Sequence, residues 1–297
     1  MKPIETAAVF GIVAVIFLIQ GTQAAEWNGP RMRTNIYSTS KNTTKKPGYI
    51  RIPKSTCHPG IKDYVIVDPG KNFPYSDRLV VYCKENDPIV CLLFDMLGYI
   101  SGVILSFKKH DFRNVHHRDY NASQVDGFVE TNFFGIPAWS IIVYFTNPCD
   151  LTESGRVYKD ELAEVLLLQI GGKWVELERC QPNGPRMGDF YLQGCHPKMG
   201  TVYIYKFNPY SRCEKALLFY VSYDQNGSLV EFGVIFVGHG SPGPKTHWYA
   251  YPSGKPLEDL TPAAPPCFKN LKRYGFTSLQ FYLIDNPDSI RCPRCHD

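Results

Sequence analysis

The feature that most constrains the fold of this chain is a set of short motifs that occurs twice in the same order. NGPRM stands at residues 28–32 and again at 183–187. Five further motifs follow in the same order in both copies. They are CHP at 57–59 and 195–197, PYS at 74–76 and 209–211, LLF at 92–94 and 217–219, GVI at 102–104 and 233–235, and an Asn-Pro ending at 147–148 and 286–287. The spacing between copies changes from motif to motif, as it does when loops accept insertions and strands do not. The sequence therefore predicts an internal duplication.

Both copies have the residues of β-strands. The run at 64–67 is β-branched and aromatic and lies between two Pro-Gly pairs, and the runs at 216–223 and 229–237 flank an Asn-Gly turn. Gly102 and Gly233 stand inside apolar strands, where a missing side chain indicates a bulge or a close backbone approach. Long amphipathic helical patterns are absent. We predict an all-β fold of two tandem, internally duplicated β-sandwich or jelly-roll-like modules stapled by disulfides.

The chain divides at changes in composition. An apolar segment followed by small residues predicts a secretory signal peptide at 1–24, with an uncleaved anchor as the alternative. A polar arm at 25–55, which contains the first NGPRM, leads to β module 1 at 56–150. Residues 151–180 read as a connecting hairpin around Gly171-Gly172, although 160–168 could form a short helix. Module 2 covers 181–297. No second long apolar run exists, so we expect no membrane span in the mature chain.

Ten cysteines, all beyond the predicted signal peptide, fit an oxidising compartment. By position in the repeat, Cys57 matches Cys195, Cys149 matches Cys292, and Cys83 matches Cys213, but spacing alone leaves the pairing open. The predicted disulfide cysteines are Cys57, Cys83, Cys91, Cys149, Cys180, Cys195, Cys213, Cys267, Cys292 and Cys295.

Three N-x-S/T sequons predict glycosylation of a secreted chain at Asn42, Asn121 and Asn226. The formal net charge of +4 is small for a chain of this length, so we expect no nucleic-acid partner.

No catalytic motif is present: the sequence lacks a zinc-protease motif, a nucleophile elbow, a P-loop and a dinucleotide fingerprint. The run GHGSPG at 238–243 resembles a serine elbow, but His239 stands where the first glycine should be. We interpret it as a Gly/Pro loop and assign no catalytic residue.

Six of the eight histidines fall at matching places in the two copies. Each copy has one imidazole beside its first cysteine and two on the loop after its central strand. Three imidazoles on a β scaffold can hold zinc or copper, so a metal site is one hypothesis. The alternative is that these side chains are structural and bonded to backbone groups. The candidate ligands are His58, His110, His116, His196, His239 and His247.

A second candidate surface is aromatic and basic. Trp248, Tyr249 and Tyr251 lie close together after the second central strand and could stack on a ligand, or else Trp248 could fill the core. At the matching place in the first copy the chain carries Arg118 and other basic residues, which suit an anion or polysaccharide contact or a solvated face.

The stapled scaffold without catalytic motifs favours an extracellular binding or interaction protein, with contacts on the loops after Phe107 and Val237. The partner would be an extracellular protein, a glycan or a small ligand. Two alternatives remain: a secreted histidine-dependent zinc or copper metalloprotein or metalloenzyme, and a secreted toxin-like effector.

Overall fold

The computed structural model describes residues 27, 29–35, 47–70, 73–156, 165–244, 246–252 and 255–292. The predicted signal peptide, the sequon at Asn42 and the last cysteine, Cys295, lie outside these residues. Within this part of the chain no helix is long and apolar enough to cross a bilayer.

Sixteen strands form two antiparallel sheets in the described residues, which confirms the all-β prediction. The strands are β1 (Arg31–Asn35), β2 (Pro47–Arg51), β3 (Tyr64–Val67), β4 (Leu79–Lys84), β5 (Asp87–Asp95), β6 (Ile100–Lys108), β7 (Val129–Phe133), β8 (Ile136–Tyr144), β9 (Leu167–Ile170), β10 (Lys173–Glu176), β11 (Arg186–Met187), β12 (Phe190–His196), β13 (Gly200–Tyr205), β14 (Leu218–Tyr223), β15 (Leu229–Val237) and β16 (Phe276–Tyr282).

The same strand order recurs in the two sheets. The first sheet runs β10-β9-β8-β6-β5-β4-β3, with β7 also paired to β8, and the second runs β11-β12-β13-β14-β15-β16-β1-β2. In both, the strand with GVI lies between the strand with LLF and the strand that precedes Asn-Pro. By sheet position β4 corresponds to β13, and β3 to β12. A duplicated chain would show this recurrence, and the duplication itself stays a prediction.

Gly102 and Gly233 occupy matching places and have the same role. A Cβ atom on Gly102 would lie 2.6 Å from the carbonyl oxygen of Val143, and one on Gly233 would lie 2.5 Å from that of Leu279. Each of these glycines therefore lets the neighbouring strand approach closely, as the sequence indicated.

The N-terminal arm is not the turn-rich lead into the first module that we expected. Its residues form β1 and β2, and β1 pairs with β16 in the second sheet, with Arg31 opposite Tyr282. The first NGPRM motif thus ends in a strand of the second sheet. The partner strand is far away in sequence, so local patterns could not reveal the pairing.

Strands β3 to β10 form the first sheet, strands β11 to β16 together with β1 and β2 form the second, and the two sheets pack face to face around one core. Phe107 of β6 stacks on Phe236 of β15 with ring centroids 5.0 Å apart, and Phe145 lies 5.5 Å from Phe281. We had expected a complete sandwich from each half. The central strands are apolar on both faces, so each sheet uses the other as cover for one face.

Additional segments cover part of each outer face. On the first sheet, Cys83 and Cys91 of adjacent strands form a cluster with Phe133 and Leu151. On the second, the region after β15 that we expected to be a loop contains helices α1 (Lys255–Leu260) and α2 (Phe268–Leu271). Their apolar side chains are buried against the core, and α1 contacts β12.

The described cysteines form three disulfides, all within the same half of the chain: Cys83–Cys91, Cys195–Cys292 and Cys213–Cys267. Cys83 pairs with its strand neighbour, and Cys213 with a cysteine that the first half lacks. Cys57, Cys149 and Cys180 are exposed and unpaired, contrary to the expectation that every cysteine is bridged. No other cysteine sulfur of the described residues lies within bonding distance of these three.

Candidate functional site

The two loops that we predicted to carry contacts lie side by side. One follows β6 and the other follows β15, and the stacked rings of Phe107 and Phe236 bring the ends of these strands together. The first loop opens with a short 3-10 helix, Lys109–Phe112, and the second is the Gly/Pro-rich run at 238–244. The loops therefore form one surface at one end of the sandwich.

A buried polar cluster joins the loops. Lys108 Nζ donates to the carbonyl oxygens of Ser241 at 3.0 Å and Pro242 at 3.2 Å, and to Ser241 Oγ at 3.2 Å. The backbone N–H of Ser241 donates to Asp111 Oδ2 at 2.9 Å, and its hydroxyl donates to the same oxygen at 3.1 Å. Lys108 is 8% exposed and the Asp111 side chain 5%. Because both charges are hydrogen-bonded away from water, the cluster acts as a clamp.

The clamp does not have the geometry of a hydrolytic triad. His110 Nε2 lies 3.1 Å from Ser241 Oγ and 3.0 Å from Asp111 Oδ1. In a triad the carboxylate holds the ring nitrogen that does not face the serine. Here both oxygens lie on the same nitrogen, so this geometry orients no base toward Ser241.

The aromatic residues fix the second loop to the first sheet. The indole N–H of Trp248 donates to Asp87 Oδ2 at 2.8 Å, and the Tyr249 hydroxyl donates to the carbonyl oxygen of Ser106 at 2.9 Å. Trp248 and Tyr249 are each 1% exposed, and burial raises the pKa of Asp87. Tyr251 is half-buried and donates to the carbonyl oxygen of Gly240. Trp248 therefore fills the core, as the alternative proposed, and Tyr249, which the alternative did not include, is buried as well, so neither ring offers a surface for stacking in this fold.

The three histidines of each copy do not meet. His58 lies before β3. It is near the turn between β5 and β6, because Ser55, three residues earlier, pairs with Tyr99 in that turn. His110 and His116 follow β6 and are at its opposite end. The second copy repeats this: His196 ends β12 beside the start of β13, whereas His239 and His247 follow β15. A nine-residue strand spans about 30 Å, far beyond the reach of a shared ligand shell.

The described residues contain no group of three or more His, Cys, Asp or Glu side chains that could hold a metal ion. Two of the imidazoles have local partners. His58 Nδ1 accepts from the backbone N–H of Gly60 at 3.0 Å and caps a 3-10 helix, and His196 Nδ1 lies 2.9 Å from the carbonyl oxygen of Pro197. These two histidines match the structural alternative.

The exposed part of the first loop is basic. Arg113, His116, His117 and Arg118 are all exposed, and the two imidazole rings stack with centroids 4.8 Å apart. We call residues 113–118 the basic loop. Among the described residues no carboxylate forms an ion pair with Arg113 or Arg118. These two guanidinium groups are thus available to an external anion.

Asp119 fixes the end of the basic loop. The Tyr274 hydroxyl and the Arg273 guanidinium both donate to its Oδ2, and the Tyr274 hydrogen bond is the first cause of its lowered pKa. On the inner side, Phe112 packs between Phe107 and Tyr120 with centroids 4.6 and 6.3 Å away. The loop is therefore anchored at both ends.

Sequence reasoning missed a cleft beside the basic loop. It has a volume of about 400 Å³ and is lined by Asp126, Tyr205, Lys206, Asn208, Ser211, Arg212, Lys215, Ala216 and Leu217. Three cations, Lys206, Arg212 and Lys215, line it. The repeated PYS motif marked this segment, but nothing local indicated that it would face Asp126.

A second missed group is a buried carboxyl on the outer face of the second sheet. Glu231 accepts from Tyr220 Oη at 2.9 Å, Ser222 Oγ at 3.2 Å and Gln280 Nε2 at 3.3 Å. Burial raises the pKa of Glu231 from 4.5 to about 8. The signal in the sequence was one acidic residue within the apolar run at 229–237.

The two sequons in the described residues are at accessible turns. Asn226 is exposed in the turn between β14 and β15, and Asn121 is half-buried, with its Oδ1 accepting from the backbone N–H and hydroxyl of Ser123.

Comparison with protein-family models, with curated proteins and with solved structures finds no match to this chain. Fold and site together define the class only: an all-β, disulfide-bonded protein with a basic loop at one end of a two-sheet sandwich.

Proposed function

We propose that this chain is a secreted, non-enzymatic binding protein whose basic loop contacts a polyanionic extracellular partner. The observation that carries the proposal is the exposure of Arg113 and Arg118 on a loop anchored at both ends, with no ion-pair partner among the described residues. Unpaired guanidinium groups with a fixed backbone are suited to carboxylate or sulfate groups, which they can bind with two hydrogen bonds.

The anchoring of the basic loop supports binding rather than simple solubility. An interface that is already ordered loses less conformational entropy when a partner arrives. The clamp of Lys108, Asp111 and Ser241 holds the loop on one side, and Asp119 with Arg273 holds it on the other. A solvated charged loop would need neither anchor.

The overall charge favours a local contact. The net charge of +4 is too small to attract polyanions over the whole surface, so the attraction depends on this one face. Secretion is supported by three disulfides and by the apolar N-terminal segment. Outside cells, chains of closely spaced carboxylate and sulfate groups are mainly polysaccharides.

The test is retention of the full mature chain on immobilised heparin along a salt gradient. We expect Arg113→Ala/Arg118→Ala to lower the affinity roughly tenfold, which is about 1.4 kcal/mol, because an exposed ion pair contributes about 0.2–1 kcal/mol and two would be lost. The matched control is Lys62→Ala/Lys198→Ala, which removes two exposed charges elsewhere. Equal losses in both variants, or no retention of the unmodified chain, would contradict the proposal.

A further inference from the structure

The cleft beside the basic loop is formed by a loop that is held rigid. Residues 206–217 are tied to α2 by the disulfide Cys213–Cys267. Within the loop, Ser211 Oγ donates to the carbonyl oxygen of Lys206 at 2.6 Å, and the backbone N–H of Tyr210 donates to Asn208 Oδ1 at 2.9 Å. The backbone of this loop is therefore fixed before any ligand binds.

The cleft is continuous with the basic loop. The backbone N–H of Asn121, three residues after Arg118, donates to the carbonyl oxygen of Glu214 at 2.6 Å, and Tyr120 Oη donates to that of Ala216 at 3.3 Å. A chain that lies on Arg113 and Arg118 can thus extend toward residues 212–215 on the same end of the molecule.

The cleft contains both paired and unpaired charged side chains. Lys206 is already paired, since its Nζ lies 3.3 Å from Asp189 Oδ2, whereas Arg212 and Lys215 are exposed and form no ion pair among the described residues. Asp126 contributes a carboxylate to the same cleft. Two available cations and one carboxylate suit a ligand unit with one acidic group and several hydroxyl donors.

The loop also presents an apolar ring. Tyr210 is 95% exposed, although large aromatic side chains are usually at least partly covered, and it lies between two residues that line the cleft, Asn208 and Ser211. An exposed ring beside polar groups can pack on the face of a sugar.

Resting on the proposed function, we infer that this cleft binds one sugar ring of an acidic glycan. The acidic group of the ring is held by Arg212 and Lys215, its hydroxyls donate to Asp126, and Tyr210 packs on its face. An acidic peptide fits less well, because it carries a carboxylate on every residue and the carboxylates not held by Arg212 and Lys215 would be repelled by Asp126.

The experiment measures binding of a hyaluronan hexasaccharide and of a hexaglutamate peptide to the full mature chain by titration calorimetry. We expect the oligosaccharide to bind, and Arg212→Ala/Lys215→Ala to weaken it about tenfold. Tyr210→Ala should weaken it as well. Lys62→Ala/Lys198→Ala is again the matched control, and thermal unfolding verifies that each variant is folded.

Asp126→Asn separates a sugar site from a merely cationic patch. If Asp126 accepts from sugar hydroxyls, the variant binds the hexasaccharide more weakly although it has lost a negative charge. Tighter binding of the hexasaccharide by Asp126→Asn would overturn the inference. So would binding of hexaglutamate to the unmodified chain that is as tight as that of the hexasaccharide, or tighter, and so would an unchanged affinity of Arg212→Ala/Lys215→Ala for the hexasaccharide. If heparin retention still depends on Arg113 and Arg118 in that case, the proposed function stands and only the cleft assignment fails.

Discussion

Glu231 shows how a single residue inside the second sheet couples this fold to pH. Its carboxyl group is fully buried and receives three hydrogen bonds, yet burial dominates and raises its pKa from 4.5 to about 8. Between these values the folded protein keeps a proton that the unfolded chain releases. Stability from this group is therefore fully present below pH 4.5 and is lost as the pH rises through about 8.

We expect Glu231→Gln to remove this dependence. Relative to the variant, the unmodified protein should lose about 1.4 kcal/mol of unfolding free energy for each pH unit inside that window. Denaturant unfolding at pH 5, 7 and 9 measures the difference, with Glu176→Gln on the exposed strand β10 as the control. A constant difference between Glu231→Gln and the unmodified chain at all three pH values would show that Glu231 is ionised throughout.

Strands β1 and β2 join the N-terminal arm to the second sheet. They cover the edge of β16, and their register places Met32, which is fully buried, opposite Phe281. Trp27, just before β1, donates from Nε1 to the carbonyl oxygen of Leu229 at 2.9 Å. Edge strand β2 begins at Pro47, a residue that discourages further pairing.

A chain that starts at residue 52 should therefore be less stable and should associate. Removal of Met32 and Trp27 from the core costs several kcal/mol, on the order of 3 for each large buried side chain. The open β16 edge then offers backbone groups to other chains. Thermal unfolding and size-exclusion chromatography test this against a chain that starts at residue 26. A monodisperse truncated chain with the same unfolding midpoint would refute the role given to β1 and β2.

For the whole molecule, the two halves have one core but differ in their cross-links. The second half is closed by Cys195–Cys292 across 97 residues and Cys213–Cys267 across 54, whereas in the described part of the first half only the short Cys83–Cys91 bridge is formed. Long bridges restrict the unfolded chain more than short ones. The first half therefore depends more on packing against the second sheet.

Alkylation of the native protein without reductant should label Cys57, Cys149 and Cys180 and spare the six bridged cysteines. Exposed thiols react, while disulfide sulfurs do not. Peptide mass spectrometry identifies the labelled positions, and the reduced, unfolded chain is the control for complete reaction. Recovery of a peptide that links Cys57 to Cys149 would show instead that the first half contains the counterpart of Cys195–Cys292.

The sequence by itself determined the central strands, the turn between β14 and β15, and the roles of two glycines. Apolar runs such as 229–237 and the Asn-Gly turn before them are local features, and Gly102 and Gly233 had to be small because strands approach there. Only the tertiary structure decided that β1 joins β16, that Trp248 is buried, that Arg212 and Asp126 line one cleft, and that His58 and His110 lie at opposite ends of a sheet. These facts depend on contacts between residues far apart in the chain. Each follows from which apolar faces pack against each other, and a local sequence pattern does not encode that choice.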